Sequence, residues 1–565
     1  MRANQLGYLP GDTKTAMAFS NTDLPSSFEV VNGDGRVVMH GPVRRVVPEA
    51  WGSFAAHAEL DFSELRTSGT YRVRLSGSDV ESHPFTIGPN VFADAADAML
   101  GFMRAQRCGY NPYLDSVCHR FDGRTADGPR PAGSFIRADG GWHDAGDTLK
   151  YLITASNATA QLLLAYQLNP AIWKDRSDEM GRSQPNGRAD VLDEARWGLE
   201  WLLRLHPSPR ELYHMVGDDR DHSGWRLPQD DQSDYGWGKG SYRVVYFASG
   251  KPQGLGRYRS ESTGVANIAG RYAAAMALAY QIWKDAPRER PFALECLRAA
   301  REVYALGREK EGVQQGNSYG SPYRYNENTW ADDMEWGAAE LYRATGESAF
   351  LVDARRYARL IGATSWMGRD AALHYEFYPF MNAGHFRLGA HADDYKSGLE
   401  AALASGRRNP WQIGVPFIWC SNNLVVALAT QGLMFERMTG SRAYYAFTTR
   451  QRDWLFGTNP WGTSMFTGLG TVSPSDVHIP SIQIKKQMVA GGLVDGPVQE
   501  SIFSSLKGVT LSRPDAFTAF QSREAVYHDD WQDYATNEPT MDGTASAVLL
   551  MALQRAPNAA SRRER

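Results

Sequence analysis

The pattern of polar and apolar residues changes near residue 88, and this change constrains the fold more than any other feature of the sequence. Before it, short alternating runs are separated by glycine-rich turns; residues 28–39, for example, read FEVVNGDGRVVM. Residues 70–75 alternate in the same way, which is typical of a sheet with one solvated face. Because glycine supplies the positive φ that hairpin turns need, we expect a small all-β sandwich over residues 1–88.

Beyond residue 91 the apolar residues recur at helical spacing. Ala95, Ala98, Phe102 and Ala105 would share one face of a first helix. Further helices are predicted over residues 189–206, 263–283, 291–306, 331–345, 350–361, 421–439, 444–456 and 544–554. Long loops rich in Gly, Trp, Tyr and Asp separate them, and such loops usually carry function. Residues 91–560 are therefore predicted to form one large all-α domain.

Charge and hydropathy exclude several classes of protein. Lys and Arg number 60 and Asp and Glu 64, a formal net charge of −4, so nucleic acid is not an expected partner. The sequence has no run of about 18 apolar residues, so we expect no membrane-spanning helix. The first five residues lack the apolar segment of a signal peptide; a secreted chain whose signal was removed and a cytoplasmic chain both stay open. We expect a monomer.

Reactive side chains concentrate in residues 140–151, which read GGWHDAGDTLKY. Asp144 and Asp147 lie three residues apart in a glycine-containing turn. Two close carboxylates can hold a water molecule between them, with one acting as general base. An isolated pair with this spacing is more often a capping or calcium-binding turn, and the flanking Gly-Gly-Trp-His favours the catalytic interpretation.

Four segments together resemble glycoside hydrolase family 9. Residues 4–10, NQLGYLP, resemble the opening strand of the immunoglobulin-like module that precedes many members, and residues 144–147, DAGD, match the family's catalytic motif. Residues 534–538, YATNE, are similar to its C-terminal acid motif, and residues 331–336, ADDMEW, to a recurrent helix start. The resemblance implies an immunoglobulin-like sandwich followed by an (α/α)6 barrel with an open cleft for a β-1,4-linked glucan.

The resemblance also implies a role for each carboxylate. Asp147 would be the general base, Asp144 would help to hold the attacking water, and Glu538 would be the general acid. The family inverts the anomeric centre, which requires carboxyl groups roughly 6.5–9.5 Å apart with a water between them. Glu538 must stay protonated to act, so we expect burial or a neighbouring anion to raise its pKa.

Two of the four cysteines belong to a potential metal site. Its candidate ligands are Cys108, Cys118, His119 and His143. Two thiolates and two imidazoles suit a closed tetrahedral zinc site, but the spacing alone fits two buried free thiols equally well. Members of the family with this N-terminal module often carry structural zinc at these positions, so the resemblance favours zinc. Cys296 and Cys420 are expected to be ordinary thiols.

The substrate cleft is predicted from aromatic and histidine residues in loops, since sugar rings stack on flat aromatic faces. Taken singly, each large aromatic is more often a core residue. The residues that we expect at the substrate are Trp330, His385, Trp419, His478 and Tyr534.

Three segments depart from the common pattern of the family. Residues 475–480, SDVHIP, keep one histidine of the usual Pro-His-His-Arg loop and lose the arginine, and Pro539 replaces the aromatic residue that commonly follows the acid. Residues 262–267, STGVAN, with Arg271, lack the acidic residues that many relatives use for calcium. Calcium elsewhere stays open, and no residue is assigned to it.

Four functions remain to be separated. The leading one is an inverting endo-β-1,4-glucanase acting on cellulose-like or mixed-linkage β-glucan. The second is an exo-acting enzyme that releases glucose, cellobiose or glucosamine from chain ends. The third is a hydrolase that uses the Cys/His metal directly, and the fourth is a non-catalytic glucan-binding protein, which the joint presence of Asp144, Asp147 and Glu538 disfavours.

Overall fold

The N-terminal strands pair into two sheets that enclose a small apolar core. The structure, a computed structural model, describes residues 1–554 except 223, 241, 255–257, 318–324, 326, 328 and 362–379. The strands of this part are β1 (Gly7–Tyr8), β2 (Thr15–Ser20), β3 (Ser27–Asn32), β4 (Val37–Pro42), β5 (Arg44–Arg45), β6 (Ala56–Asp61), β7 (Gly69–Leu75) and β8 (Phe85–Ile87). One sheet has the order β1-β8-β7-β3-β4 and the other β2-β6-β5, which makes an immunoglobulin-like sandwich.

The sequence pattern predicted three of the five strands of the larger sheet, β3, β4 and β7. The hairpin of β3 and β4 is antiparallel, with Val30 opposite Met39. Along β7, Tyr71, Val73 and Leu75 are buried and face the core, while the intervening residues are more exposed. The alternation thus places one face of this sheet on the core.

The remainder of the described chain is mainly helical. Its helices are α1 (Ala93–Ala105), α2 (Leu152–Leu168), α3 (Asp190–Arg204), α4 (Ala266–Trp283), α5 (Arg290–Glu309), α6 (Ala331–Thr345), α7 (Ser348–Ile361), α8 (Phe380–Leu388), α9 (Ala392–Gly406), α10 (Ser421–Thr439), α11 (Tyr445–Leu455), α12 (Pro480–Lys485), α13 (Glu500–Ser505) and α14 (Met541–Gln554). The predicted bounds of α6 and α10 agree with the structure. The predicted end of the domain, residues 555–560, lies outside the described residues. Within the part described, no helix is long and apolar enough to cross a membrane.

Six of these helices pack in a closed ring. α2, α4, α6, α8, α10 and α14 each contact the next in this order, and α14 returns to α2. Helices α1, α3, α5, α7, α9 and α11 each pack against one or two members of the ring. The burial of the helices agrees with this packing. The buried residues of α5, which lies against the ring, form one stripe, whereas α2 and α14, which belong to the ring, are buried on nearly every face.

The second domain is helical, as expected, and it also contains short strands between the helices that the sequence pattern did not predict. They are β9 (Tyr110–Asn111), β10 (Ser116–Val117), β11 (Arg124–Thr125), β12 (Lys150–Tyr151), β13 (Tyr213–Val216), β14 (Val244–Phe247), β15 (Leu493–Val494) and β16 (Pro539–Thr540). Most span two residues, too few for an alternating pattern to be visible in sequence. Two of them matter for the site: β12 pairs with β13 directly after the DAGD turn, and β16 pairs with β15 directly after Glu538.

Polar side chains near the N-terminus connect the sandwich to the helical part. The Asn4 amide donates to Asp453 at 2.8 Å. The Gln5 amide donates to the Gly462 carbonyl at 2.8 Å and accepts from the Val472 N–H at 2.7 Å. The NQLGY segment is therefore part of the interface as well as of the sandwich.

Candidate active site

The DAGD turn is closed by its own hydrogen bonds. The Asp144 N–H donates to the Leu149 carbonyl at 3.0 Å, and the Leu149 N–H donates to Asp147 Oδ1 at 2.8 Å. β12 begins at the next residue and pairs with β13. The turn therefore presents Asp147 from a fixed backbone.

Asp144 lies buried beneath this turn. Its Oδ1 accepts a hydrogen bond from the Thr154 hydroxyl at 2.7 Å, and its Oδ2 accepts one from the Tyr325 hydroxyl. Burial, followed by the charges of Asp542 and Asp147, raises the pKa of Asp144 well above its ordinary value, although both hydroxyls lower it. Thr154, close in sequence, and Tyr325, distant in sequence, thus fix the orientation of this carboxyl group.

Glu538 directly contacts the turn that carries Asp147. The Gly146 N–H donates to Glu538 Oε1 at 2.8 Å across 392 positions of sequence. Burial, reinforced by Asp495 and then Asp147, raises the pKa of Glu538 well above its ordinary value. Asp495 is itself held by the Trp419 indole N–H at 3.1 Å. The expected elevation of the Glu538 pKa therefore has both of its anticipated causes, burial and nearby anions.

Asp147 is more accessible than Asp144 and faces a histidine that the sequence did not single out. Its side chain is 18% exposed, and its Oδ2 lies 3.5 Å from His222 Nε2. Burial lowers the pKa of His222, but the hydrogen bond and charge of Asp147 outweigh it and raise that pKa overall. A carboxylate with one face open and one face against an imidazole is suited to hold a water molecule.

Three of the predicted substrate residues belong to a run of rings beside these carboxyl groups. Successive ring centroids lie 5.8 Å apart for Trp419 and Tyr534, 5.9 Å for Tyr534 and His478, 5.0 Å for His478 and Trp225, and 5.2 Å for Trp225 and Trp531. The His478 Nδ1–H donates to the Trp531 carbonyl at 2.6 Å. Trp225 is 39% exposed, so the run reaches the surface.

The other two predicted substrate residues lie in different surroundings. His385 is fully buried, with Nδ1 2.7 Å from Glu335 Oε1 on α6. Trp330 immediately precedes α6, is partly buried and meets Tyr357 of α7 edge-on at 5.9 Å. The structure therefore joins Trp419, His478 and Tyr534 into one run of rings, and places His385 and Trp330 outside it.

The four predicted metal ligands converge. One donor atom from each of Cys108, Cys118, His119 and His143 lies within 4.8 Å of the others, and all four residues are buried. The sulfur atoms are 3.9 Å apart, and the distances from Cys108 Sγ to His119 Nδ1 and from Cys118 Sγ to His143 Nε2 are both 3.7 Å. A tetrahedral zinc ion with its usual bond lengths would set sulfur atoms about 3.8 Å apart and sulfur and nitrogen about 3.6 Å apart. These three distances are compatible with a bound zinc ion.

Outer contacts connect this Cys/His cluster to the catalytic turn. His119 Nε2 lies 3.2 Å from Asp231 Oδ2, which fixes the ring as carboxylates do for metal-binding histidines. Arg243 approaches Cys108 Sγ at 4.0 Å and donates to the Thr148 carbonyl at 2.6 Å. His143 is itself the neighbour of Asp144. The cluster therefore braces the turn through two routes.

Arg271 lies in a buried group of carboxylates. Arg271, on α4, donates hydrogen bonds to Glu327 and to Asp333 of α6. All three side chains are buried. The guanidinium group thus offsets the charge of these two carboxylates.

Several residues of the site carried no local sequence signal. Thr154 and Tyr325 act on Asp144, His222 on Asp147, and Asp495 on Glu538, yet none belongs to the motif that it serves. Only Thr154 is close in sequence to its partner, on the first turn of α2. The others reach the site through tertiary packing.

The site combines carboxyl groups whose pKa is raised by burial with a more accessible carboxylate, beside a run of rings. This combination is typical of enzymes that cleave glycosidic bonds. The chain belongs to glycosyl hydrolase family 9, whose family model matches residues 92–551. A second model, the cellulase N-terminal ig-like domain, matches residues 1–80. The chain is thus a glycoside hydrolase.

Individual relatives agree with this assignment. Endoglucanase C of Cellulomonas fimi is 27% identical over 96% of this chain, which spans about half (50%) of that relative's length. The xyloglucan-specific endo-beta-1,4-glucanase BoGH9A of Bacteroides ovatus is 25% identical, covering 97% of this chain and 92% of the relative. The crystal structure of a metagenome-derived glycoside hydrolase family 9 endoglucanase superposes with a TM-score of 0.77 at 26% identity, covering 98% of this chain and 99% of that one.

Proposed function

We propose that the chain is an inverting endo-β-1,4-glucanase acting on cellulose-like or mixed-linkage β-glucan. The observation that carries the proposal is the hydrogen bond from the Gly146 N–H to Glu538, because it joins the base-bearing turn to the acid across most of the chain. The names of the relatives support a β-1,4-glucan as substrate and endo action.

In this proposal Glu538 protonates the leaving oxygen. Its raised pKa keeps the proton on the carboxyl group at a pH where an ordinary glutamate would have lost it. The Gly146 N–H holds Oε1, so Oε2 is the oxygen that we assign to the glycosidic bond. Asp495 maintains the elevated pKa without contacting the sugar.

Asp147 acts as the general base and Asp144 assists it. Asp147 Oδ1 is held by the Leu149 N–H, and the Oδ2 of this partly exposed side chain accepts the proton of the attacking water. Asp144 keeps a fixed orientation through Thr154 and Tyr325, so its remaining lone pairs help to hold that water. The base, water and acid then lie in the order that inversion requires.

The run of rings from Trp419 to Trp531 is our candidate platform for the glucan. Pyranose rings present flat C–H faces that stack on aromatic rings, and the indole N–H of Trp419 is already used by Asp495, so its ring face is the part available to sugar. Tyr534 and His478 continue the same surface towards Trp225. Because the run reaches the protein surface, it suits a long chain.

For the helical domain we propose an (α/α)6 barrel. The ring of α2, α4, α6, α8, α10 and α14 would form its inner layer, and α1, α3, α5, α7, α9 and α11 its outer layer. Inner and outer helices then alternate along the chain, as the packing contacts suggest.

For the Cys/His cluster we propose a structural zinc ion held by Cys108, Cys118, His119 and His143. Zinc bound by four protein ligands has no open position for water, so its contribution is to fix the turn that bears Asp144 and Asp147. This disfavours a hydrolase that uses the metal directly.

The test replaces the two carboxyl groups that transfer protons. We expect Asp147→Asn and Glu538→Gln each to lower kcat on carboxymethylcellulose by about 10²–10⁴-fold, the usual contribution of acid–base catalysis. Asp139→Asn, which alters a carboxylate paired with Arg137 a few residues before the turn, is the matched control and should retain full activity.

Product analysis separates the remaining alternatives. Proton NMR of the first products should show the α-anomer, and viscosity should fall before much reducing sugar accumulates. Release of the β-anomer would refute inversion. If reducing sugar accumulates without an early fall in viscosity, the enzyme acts on chain ends and the exo alternative is correct. Lichenan, xyloglucan and chitosan, assayed in parallel, define the polysaccharide.

A further inference from the structure

A second group of potential metal ligands lies where α8 ends and α9 begins. His385 is on α8, His391 is the residue that precedes α9, and Asp394 is in the first turn of α9. One donor atom of each lies within 4.8 Å of the other two. His385 Nε2 is 3.5 Å and His391 Nδ1 is 3.6 Å from the same oxygen, Asp394 Oδ2.

The orientation of His385 points to a ligand. Its ring is fully buried, and its Nδ1 lies 2.7 Å from Glu335 Oε1 of α6, so the Nδ1–H donates to that carboxylate. Metal-binding histidines nearly always donate their second ring N–H to a carboxylate or carbonyl in this way. The arrangement leaves the Nε2 lone pair directed at Asp394. Within the part of the chain that the structure describes, Nε2 has no hydrogen-bond partner.

The spacing and chemistry of the three donors suit a transition metal. Bonds of about 2.0–2.1 Å to nitrogen and oxygen in a tetrahedral site place the donors about 3.3–3.4 Å apart, close to the two distances to Asp394. The rings of His385 and His391 stack with centroids 4.6 Å apart, which two imidazolium ions would resist but two metal-bound neutral rings would not. Two imidazoles and one carboxylate favour Zn²⁺, Co²⁺ or Ni²⁺ over Ca²⁺.

We propose that His385, His391 and Asp394 bind a divalent transition-metal ion such as Zn²⁺, at a site separate from the Cys/His cluster and from the catalytic carboxylates. Three protein ligands leave a fourth position for water. The ion would fasten the start of α9 to α8 and, through Glu335, to α6. The competing occupant of His385 Nε2 is a proton, which would make an imidazolium ion between Glu335 and Asp394.

The experiment measures Co²⁺ binding to the purified full chain with its Cys/His cluster already loaded with zinc. Calorimetry gives the stoichiometry and affinity, and absorption spectra identify the donors, because cobalt bound by thiolates has an intense charge-transfer band that cobalt bound by nitrogen and oxygen lacks. The variants are His391→Asn and Asp394→Asn. Asparagine tolerates the left-handed backbone of residue 391, where φ is 62°. The control is His40→Asn, a surface histidine 4.0 Å from Glu29 in the sandwich.

We expect the unaltered chain and His40→Asn to bind one Co²⁺ ion without a thiolate band. His391→Asn and Asp394→Asn should each weaken binding by at least about 100-fold, since even outer contacts of a metal site are worth 10–100-fold. Added Co²⁺ should raise the melting temperature of the unaltered chain and leave that of Asp394→Asn unchanged. Thermal unfolding without metal shows whether each variant is folded.

Two results would overturn the proposal: no Co²⁺ bound by the unaltered chain beyond the Cys/His cluster, or unchanged binding by both variants. The first result would assign His385 Nε2 to a proton. Neither measurement depends on glucan hydrolysis, so failure of this site would leave the proposed glucanase activity standing.

Discussion

A single methyl group on Gly146 should separate the acid from the base. A Cβ at this position would lie 2.4 Å from the His478 carbonyl oxygen and 2.7 Å from Glu538 Oε1. Ordinary contact begins at 3.4 Å, so the two oxygens would have to retreat by about 1.0 Å and 0.7 Å, the differences from that distance. The backbone N–H that donates to Glu538 is kept in Gly146→Ala, so the change affects geometry and not the number of donors.

A displacement of about 1 Å in a catalytic group can cost about 100-fold in rate, equivalent to about 2.7 kcal/mol of transition-state stabilisation. We therefore expect Gly146→Ala to lower kcat on carboxymethylcellulose by about 100-fold with a smaller change in KM, because the clash is with the backbone carbonyl of His478 and with Glu538 and not with a ring face that would bind glucan. Initial rates of reducing-end formation measure both constants.

The matched control is Gly101→Ala on α1, where a Cβ would meet nothing within 4 Å. This variant should be fully active and slightly more stable, because alanine favours the helix. Thermal unfolding of Gly146→Ala distinguishes a folded, slow enzyme from a misfolded one. If Gly146→Ala is folded and has a kcat within threefold of the unaltered chain, the contact between the turn and Glu538 does not set the catalytic geometry.

Three further outcomes follow from the contacts around the carboxyl groups and the cluster. Asp495→Asn removes an anion that raises the pKa of Glu538, so Glu538 should lose its proton at lower pH. The alkaline limb of the profile of kcat against pH should then move to lower pH, and an unmoved limb would exclude this coupling. Thr154→Val removes a buried hydrogen bond to Asp144 and should lower the free energy of unfolding by about 1–3 kcal/mol. Urea denaturation measures this change, and no loss of stability would show that Asp144 is held by other contacts. Cys108→Ser should remove zinc, measured by mass spectrometry of the purified chain, and lower the melting temperature; retained zinc would mean that the metal lies elsewhere.

The sequence pattern predicted those elements whose two faces differ. Alternation identified β7, where buried and more exposed residues take turns, and a single apolar stripe identified α5. The pattern missed α2, which is buried on nearly every side and so offers no periodic contrast, although α14, buried to a similar degree, was predicted over residues 544–554. The two-residue strands β12 and β16 also escaped, because two residues make no period.

Some residues of the site lie in short recognisable segments, whereas others reach it only through tertiary packing. Asp144, Asp147 and the Cys/His residues lie in recognisable segments, so residue type and resemblance were enough to predict a role for them. Tyr325, His222 and Asp495 were missed because each reaches its carboxylate partner from a distant segment. The contact between Gly146 and Glu538 could not be read from sequence for the same reason.

The closed ring of helices also determines when this enzyme can first become active. Its first member, α2, starts at residue 152, and its last, α14, starts at Met541, only three residues after Glu538. Contacts so distant in sequence form late, since their loop-closure entropy is not offset until both partners exist. During synthesis, α2 is made hundreds of residues before the helix that completes its surroundings. A nascent chain that stops before α14 therefore has neither a closed ring nor a positioned acid, and hydrolytic activity should arise only when the last helix has left the ribosome.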